Sequence, residues 1–272
     1  MPQPDPKALY IDLLKRCLTY SLWGASDGAT VAAHGFLKRL VHGFFARRGI
    51  RLVYARAANP AARESGRDWP ALADTMIGGK RLNNIQFCIE DVIARNVPGD
   101  LIETGVWRGG ATILMRGILK AYGITDRRVF AADSFEGLPP PDTARYPHDA
   151  GDQHHQVGAL AVSLDEVKAN FQRYDLLDEQ VCFLKGWFKD TLPSAPIQKL
   201  AVARLDGDMY ESTLDALTHL YPKLSPGGYL IVDDYGAIPA CAAAVHDYRN
   251  AHHITEPIID IDGYGVYWQR HP

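Results

Sequence analysis

The sequence predicts an α/β fold built on a largely parallel sheet that helices cover on both faces. From about residue 100, short apolar runs alternate with segments of helical periodicity, which is the pattern of repeated β-α units. One of these runs leads into a glycine-rich turn and two others end in paired carboxylates, features expected at the ligand crevice of such a sheet. The 272 residues are enough for one α/β domain with an extension.

The composition excludes several classes of protein. Hydrophobic residues make up 47% and charged residues 22%, which excludes a disordered or collagen-like chain. The net charge of −3 gives no basic surplus for nucleic acid. No apolar run approaches the roughly 18 residues that cross a bilayer, and the N-terminus lacks the layout of a signal peptide. The four cysteines form no CxxC pair, so we expect a cytoplasmic protein with neither a zinc site nor a disulfide framework.

Residues 1–99 are expected to form a helical extension. Two segments have apolar residues at helical spacing: Leu9, Leu13, Leu14 and Leu18, then Leu82, Ile85, Ile89 and Ile93 before Pro98 and Gly99. Between them, the stretch from Gly28 to Arg63 contains seven Lys or Arg and no Asp or Glu. Its apolar residues predict an amphipathic helix, at Phe36, Leu37, Leu40, Val41, Phe44 and Phe45. The basic side is interpreted either as a solvated face or as a cap or membrane-surface contact that recruits an amphiphilic substrate.

Residues 100–272 carry the predicted sheet. The strands are expected at Asp100–Val106, Arg128–Phe135, Val181–Phe188, Leu200–Leu205, Tyr229–Val232, Pro257–Ile261 and Gly265–Gln269. The helices are expected at Gly110–Tyr122, Leu164–Tyr174, Ser212–Leu224 and Ala240–His252. The last two strands are separated by three residues only, which permits an antiparallel hairpin and no parallel crossover. The segment Pro139–Gly158 is too long for a simple connection and is interpreted as a functional loop.

Two strand ends indicate a nucleotide-type ligand. Glu103 and Gly105 end the first strand of the sheet in an ExGxxxG pattern, which differs from the GxGxxG of dinucleotide sites. An acidic residue there repels a pyrophosphate and favours a ligand with an amine and a sulfonium centre. Asp133 ends the second strand, where a carboxylate grips a ribose diol in nucleotide-type sites.

Four carboxylates follow two further strands, at Asp206, Asp208, Asp233 and Asp234. These strand ends are neighbours in a doubly wound sheet, so the anions repel one another unless a proton or a cation is bound. Oxygen ligands without a nearby His or Cys favour Mg²⁺, Mn²⁺ or Ca²⁺ over zinc. We expect Asp206, Asp233 and Asp234 to bind the metal, and Asp208, which lies further into the loop, to accept a proton from the substrate. His154 and His155 either contact the substrate or are solvated loop residues.

Seven blocks of the sequence together resemble the macrocin O-methyltransferase family, whose members use S-adenosylmethionine and Mg²⁺ to methylate deoxysugars of antibiotics. The blocks are Asp74–Gly78, Arg81–Asn84, Glu103–Gly110, Ala132–Phe135, Gly186–Thr191, Leu205–Tyr210 and Leu224–Tyr235. The resemblance extends over roughly residues 64–270 and is greatest to aminocoumarin noviose 4-O-methyltransferases. It implies a Rossmann-like class I methyltransferase sheet with the terminal antiparallel hairpin inferred above. It also implies that the helical extension caps the active site, and a homo-oligomer (dimer or higher) is expected.

The resemblance also implies which residues bind the ligands. The S-adenosylmethionine contacts would be Thr75, Glu103, Thr104, Gly105, Asp133, Ser134, Ser163, Gly186, Trp187 and Phe188, although a capping box with Glu166 is a sufficient structural role for Ser163. The metal would acidify a sugar hydroxyl of a glycosylated small molecule, and Asp208 would take its proton. Three alternatives remain open: a catechol-type methyltransferase, a metal-dependent glycosyltransferase using the DxD motif at Asp206, and a binding module without chemistry.

Overall fold

Seven strands form one mixed sheet in the computed structural model, which describes residues 5–23, 29–30, 36–50, 53–54, 59–68 and 71–271. Strands β1 (Ala29–Thr30) and β2 (Val53–Tyr54) form a separate antiparallel ribbon. The sheet contains β3 (Asp100–Thr104), β4 (Val129–Asp133), β5 (Val181–Lys185), β6 (Leu200–Leu205), β7 (Leu224–Val232), β8 (Ile259–Asp260) and β9 (Val266–Gln269). The strand order is β5-β4-β3-β6-β7-β9-β8.

The pairing confirms the predicted topology. Strands β3 to β7 are all parallel to one another, whereas β9 is antiparallel to both β7 and β8. The terminal hairpin inferred from the short link between its strands is therefore present. The chain reverses direction in the sheet order between β3 and β6, which is the switch point where ligands bind in such sheets.

Nine helices flank the sheet or precede it in the described residues. They are α1 (Pro6–Leu18), α2 (Phe36–Ala46), α3 (Pro60–Ser65), α4 (Gly79–Ala94), α5 (Gly110–Ala121), α6 (Leu164–Arg173), α7 (Phe188–Thr191), α8 (Tyr210–Leu220) and α9 (Pro239–Ala251). Helices α1 and α4 pack against α5, and their buried residues Ile11 and Ile85 belong to the same core as Ile113. Helices α8 and α9 pack together on the other face.

The bounds of one predicted helix and two predicted strands were wrong by more than two residues. The helix expected at Ser212–Leu224 begins at Tyr210 and ends at Leu220, and Tyr221–Lys223 form a 3₁₀ turn. Pro222 explains the early end, because it has no backbone N–H to continue the helix. The strand expected to begin at Tyr229 begins at Leu224. The strand expected at Val181–Phe188 ends at Lys185, and Phe188 begins α7 instead.

The apolar face predicted for α1 was partly wrong. Leu14 and Leu18 are buried together with Ile11, but Leu9 and Leu13 are 55% and 52% exposed. The amphipathic helix expected in the basic segment forms as α2, and its residues Leu40, Val41 and Phe44 are exposed in the structure. Residues 31–35, 51–52 and 55–58 of that segment lie outside the described residues. Among the described residues, no helix combines the length and the hydropathy needed to cross a bilayer.

Candidate active site

A crevice lies at the carboxyl ends of β3, β4, β6 and β7, where the ends of β3 and β6 approach each other closely. The Asp206 backbone N–H donates to the Thr104 carbonyl at 2.8 Å. Gly105 follows at φ +84°, and a Cβ at this position would lie 1.6 Å from the Asp206 carbonyl oxygen. Only glycine fits there, so the motif predicted as a ligand turn also permits the contact between the two strands.

A cavity of about 790 Å³, including its open mouth, occupies this crevice. Eight of the predicted site residues line it: Gly105, Asp133, Ser134, Gly186, Trp187, Phe188, Asp206 and Asp208. The predicted functional loop contributes Pro139 to the wall, and Leu160, two residues beyond its predicted end, also lines the cavity. The Trp107 indole N–H donates to the Ala159 carbonyl at 2.8 Å. The sequence-predicted crevice is therefore a real cavity.

Asp133 accepts backbone hydrogen bonds from both sides of the crevice. Its Oδ2 accepts from the Val106 N–H at 2.7 Å, and its Oδ1 accepts from the Phe135 N–H at 2.7 Å. Burial raises the pKa of the carboxyl, whereas these backbone hydrogen bonds lower it. The side chain is thereby held at the tip of β4 facing the cavity, in the place expected for a ribose-binding carboxylate.

A buried arginine in β6 connects the predicted cofactor and metal residues. The guanidinium of Arg204 contacts Glu103 Oε1 at 2.5 Å and Asp206 Oδ2 at 2.8 Å, and it also pairs with Asp233. The second oxygen of Glu103 accepts a hydrogen bond from the Thr112 hydroxyl. Arg204 is 1% exposed, so three carboxylates share one desolvated cation.

A second arginine reaches the same cluster from helix α4. Arg81 pairs with Asp233 and contacts Asp262 Oδ2 through its Nε at 3.0 Å. The other oxygen of Asp262 accepts from the backbone N–H groups of Tyr264 and Gly265, which closes the β8–β9 hairpin. The Arg81 side chain therefore connects α4 and the terminal hairpin to Asp233.

The carboxylates still outnumber the arginines in the crevice. Burial, followed by the charge of Asp233, raises the pKa of Asp206 to about 6. Burial and the charge of Asp208 raise the pKa of Asp234 well above its ordinary value. Carboxylate oxygens of Asp206, Asp233 and Asp234 lie within 4.8 Å of one another. Three clustered oxygen ligands with surplus negative charge fit a hard divalent cation.

Asp208, the predicted general base, lies on the cavity lining and has a raised pKa. Burial and the charge of Asp206 raise the pKa of its carboxyl to about 7, although the charge of His154 lowers it. Its backbone has φ +58°, an uncommon value for a non-glycine residue, and its N–H donates to Asp234 Oδ2 at 3.1 Å. The His154 ring is itself oriented by Asp152, with Nδ1 and Oδ2 2.6 Å apart.

The chain matches a protein-family model over residues 7–270, and the description of that model is macrocin-O-methyltransferase (TylF). The match includes every strand and helix of the sheet described above. The chain belongs to the macrocin-O-methyltransferase (TylF) family. It is accordingly an S-adenosylmethionine-dependent O-methyltransferase, so a glycosyltransferase and a binding module without chemistry are no longer alternatives.

Named relatives are similar over most of the chain. A demethyldecarbamoylnovobiocin O-methyltransferase of Streptomyces niveus is 62% identical over 76% of this chain and 80% of its own length. A mycinamicin III 3''-O-methyltransferase of Micromonospora griseorubida is 51% identical over 96% of each chain. The solved structure of the O-methyltransferase NovP has a TM-score of 0.85 and 51% identity, covering 98% of this chain and 100% of that one. These similarities confirm the Rossmann-like class I methyltransferase fold.

Several predicted site residues of this TylF-family enzyme lie behind the cavity and not on its lining. Both carboxylate oxygens of Glu103 are used by Arg204 and Thr112, and Thr104 is fully buried. Thr75 lies beside the first residue of α5. The hydroxyl of Ser163 accepts from the Glu166 N–H at 3.2 Å, which is the predicted helix cap. Contacts of these residues with a ligand remain predictions.

Sequence reasoning missed three residues that organise the site. Arg204 had a readable signal, because a charged residue inside an apolar strand requires carboxylate partners. Arg81 had no local signal, since its partners lie in distant segments. Asp149 is 1% exposed and accepts from the N–H groups of Tyr210 and Glu211, at 2.6 and 3.1 Å. It caps α8 from the long loop and explains why this helix begins at Tyr210.

Proposed function

We propose that this enzyme transfers the methyl group of S-adenosylmethionine to a hydroxyl of a deoxysugar in a glycosylated natural product, with Mg²⁺ as its metal. The observation that carries the proposal is the position of Asp208 in the cavity beside the three clustered carboxylates. Support for the acceptor comes from relatives named for sugar positions. One is a 4'-O-methyltransferase of a dimethoxyrhamnosyl tetracenomycin from Streptomyces olivaceus, 51% identical over 98% of this chain and 94% of its own length.

The cavity residues at the ends of β3, β4 and β5 fit successive parts of the cofactor. Gly105 at the end of β3 lets a ligand approach the backbone, and Asp133 at the end of β4 presents a carboxylate to a ribose diol. Gly186, Trp187 and Phe188 follow β5 and would border the adenine. S-adenosylmethionine supplies an electrophilic methyl group when it is bound.

The proposed metal ligands are Asp206, Asp233 and Asp234. Their clustered oxygens and the surplus of carboxylates over arginines are the observations that fit a divalent cation. A bound Mg²⁺ would lower the pKa of a coordinated hydroxyl. Arg204 and Arg81 hold Asp233 from both sides, so the protein fixes the direction in which this carboxylate points.

Asp208 would accept the proton of the acceptor hydroxyl. A pKa of about 7 leaves about half of its carboxyl groups ionised near neutral pH and makes the ionised form basic enough to take a proton. The hydrogen bond from its N–H to Asp234 fixes its backbone against the metal-binding loop. Alignment of the hydroxyl with the methyl group can contribute roughly 7–11 kcal/mol to catalysis.

A calorimetric titration tests the cofactor, and an activity assay tests the metal. Wild-type protein is titrated with S-adenosylhomocysteine in Mg²⁺ buffer, with a sugar nucleotide as the comparator. The proposal predicts a Kd of about 1 µM or tighter, about −8 kcal/mol, for S-adenosylhomocysteine alone. Methyl transfer assayed with EDTA or Mg²⁺ then tests the metal: equal turnover in both would contradict Mg²⁺ dependence.

We also infer that residues 1–99 cap the active site and that the enzyme is a homo-oligomer. The cap is supported by Met76, which precedes α4 and lines the cavity. Exposed apolar residues of the N-terminal segment would be covered by a second copy: Leu9, Leu13, Leu22 and Trp23. Light scattering is expected to give at least twice the chain mass of 30.1 kDa, and a monomer at the assay concentration would exclude this assembly.

A further inference from the structure

Two carboxylates that line the cavity, Glu211 and Asp215, have no role in the mechanism above. Asp215 lies on α8, is half-buried, and lines the cavity. Among the residues that the structure describes, it has no hydrogen-bond or ion-pair partner, whereas the neighbouring Glu211 has Lys189 Nζ at 3.8 Å. Burial and the charge of Glu211 raise the pKa of Asp215 to about 6. Because its carboxyl lines the cavity without a protein partner, a bound ligand can supply a donor to it.

The position of Asp215 along the cavity restricts what that donor is. Helix α7 begins at Phe188, one residue after the Trp187 expected to border the adenine, and α7 packs against α8. Glu211 and Asp215 are four residues apart and therefore share a face of α8, and the contact of Glu211 with Lys189 turns this face toward α7. Asp215 lies about 7 Å further along the helix axis than Tyr210, away from the metal-binding loop.

The chemistry of the nucleoside supplies a matching donor. Adenine carries an exocyclic amine on its outer edge, and this amine donates hydrogen bonds without carrying a charge. A half-buried carboxyl keeps part of its hydration, so a neutral donor is sufficient as its partner. We propose that Asp215 accepts the exocyclic amine of the cofactor adenine and so determines the preference of this enzyme for adenosyl over inosyl ligands. This inference rests on the cofactor proposed above.

The test compares the binding of S-adenosylhomocysteine and S-inosylhomocysteine by calorimetry, without turnover. The inosyl ligand has a carbonyl oxygen in place of the amine, so the atom that would face the Asp215 carboxylate is an acceptor and repels it. Wild-type protein is expected to prefer the adenosyl ligand by at least about 10-fold. Asp215→Asn should bring the two affinities within about 3-fold of each other, because an amide can donate to the carbonyl as well as accept from the amine. The absolute affinity for the inosyl ligand should rise, and a misfolded variant cannot produce that gain.

The matched control is Asp190→Asn, which removes a neighbouring exposed carboxylate of α7 and should keep the wild-type preference. Equal binding of the two ligands by wild-type protein would overturn the proposal without any variant. An unchanged preference in Asp215→Asn would overturn it as well. If wild-type protein binds neither ligand, the cofactor assignment fails together with this inference, and that result is distinct from an unchanged preference.

Discussion

At Asp208, an unusual backbone conformation and a raised pKa occur in one residue. A non-glycine residue at φ +58° is uncommon, and such conformations cluster at functional sites where the surroundings hold them in place. Here the surroundings include the Asp234 carboxylate, which accepts from the Asp208 N–H. The strained turn directs the carboxyl into the cavity, where burial raises its pKa to about 7.

Asp208→Asn removes the proposed base with little change in volume. We expect kcat to fall by about 100-fold or more, in the range of general-base contributions, while the affinity for S-adenosylhomocysteine stays within about 3-fold of wild type. Steady-state kinetics and calorimetry measure the two quantities. Near-normal turnover would exclude Asp208 as the base, whereas loss of ligand affinity would assign it to binding.

Arg204 illustrates how a residue that does no chemistry can organise a site. Replacing it with Met leaves Glu103, Asp206 and Asp233 without their shared buried cation. We expect Arg204→Met to lower the free energy of unfolding by about 3–5 kcal/mol, the usual cost of removing one partner of a buried ion pair. Urea unfolding at constant pH measures this loss.

Arg145→Met is the control, because that side chain is exposed and its replacement should change the stability by less than about 0.5 kcal/mol. Equal stabilities of the two variants would show that water or protons replace the arginine as the partner of these carboxylates.

The strand-end carboxylates could be predicted from the sequence, but the arginines that pair with them could not. Asp206 and Asp233 follow apolar strands directly, whereas the Arg81–Asp233 pair joins residues 152 positions apart.

At the scale of secondary-structure elements, the strands and the terminal hairpin could be predicted from local sequence patterns. The alternation of apolar runs and helical segments gave every strand of the main sheet, and the short link between β8 and β9 gave the hairpin. Errors arose where a distant contact or a proline fixes an end, as at Tyr210 and Pro222. The exposure of Leu9 and Leu13 was also unpredictable, because helical periodicity identifies an apolar face without identifying what covers it.

A substitution at the first residue of α5 tests whether residues 74 and 75, which precede α4, are held against this helix. The Gly110 N–H donates to the Asp74 carbonyl at 2.9 Å, and a Cβ on Gly110 would lie 2.5 Å from that oxygen. Gly110→Ala should therefore destabilise the protein by about 1–3 kcal/mol, although helix propensity alone favours alanine by about 1 kcal/mol. Thermal or urea unfolding measures whether the substitution lowers or raises the free energy of unfolding.

Gly158→Ala provides the comparison for this variant. No atom lies within 4 Å of its added Cβ, and the residue is outside the left-handed region. Its stability should remain within about 0.5 kcal/mol of wild type. A stabilising Gly110→Ala would mean that residues 74 and 75 are not held against α5 in solution.

At the scale of the whole molecule, the charge of the crevice couples folding to pH and to the metal. Burial raises the pKa of Glu103 and Asp208 to about 7 and of Asp206 to about 6, above the values near 4 expected in the unfolded chain. The folded metal-free protein therefore binds more protons than the unfolded one in this window. Its stability should fall as the pH rises from about 4 through about 7.

The proposed metal site predicts that added Mg²⁺ reverses that loss, because the ionised carboxylates would bind it without competing protons. We expect a larger increase in the melting temperature from Mg²⁺ at about pH 8 than at about pH 5, measured against EDTA by thermal denaturation. Asp91 and Asp178 have lowered pKa values and titrate below the range of pH 4 to 7, so they do not change the direction in which stability depends on pH there. A stability of the metal-free protein that rises with pH would contradict the account.

The most direct test of the account is methyl transfer to defined acceptors. Purified enzyme is incubated with S-adenosylmethionine and Mg²⁺, and with either a glycoside carrying a free deoxysugar hydroxyl or a catechol, and the products are located by mass spectrometry and NMR. The account predicts a methyl group on the sugar oxygen and a loss of that product with EDTA or in Asp208→Asn. Methylation of the catechol alone, or methylation of the sugar that neither EDTA nor Asp208→Asn diminishes, would contradict it.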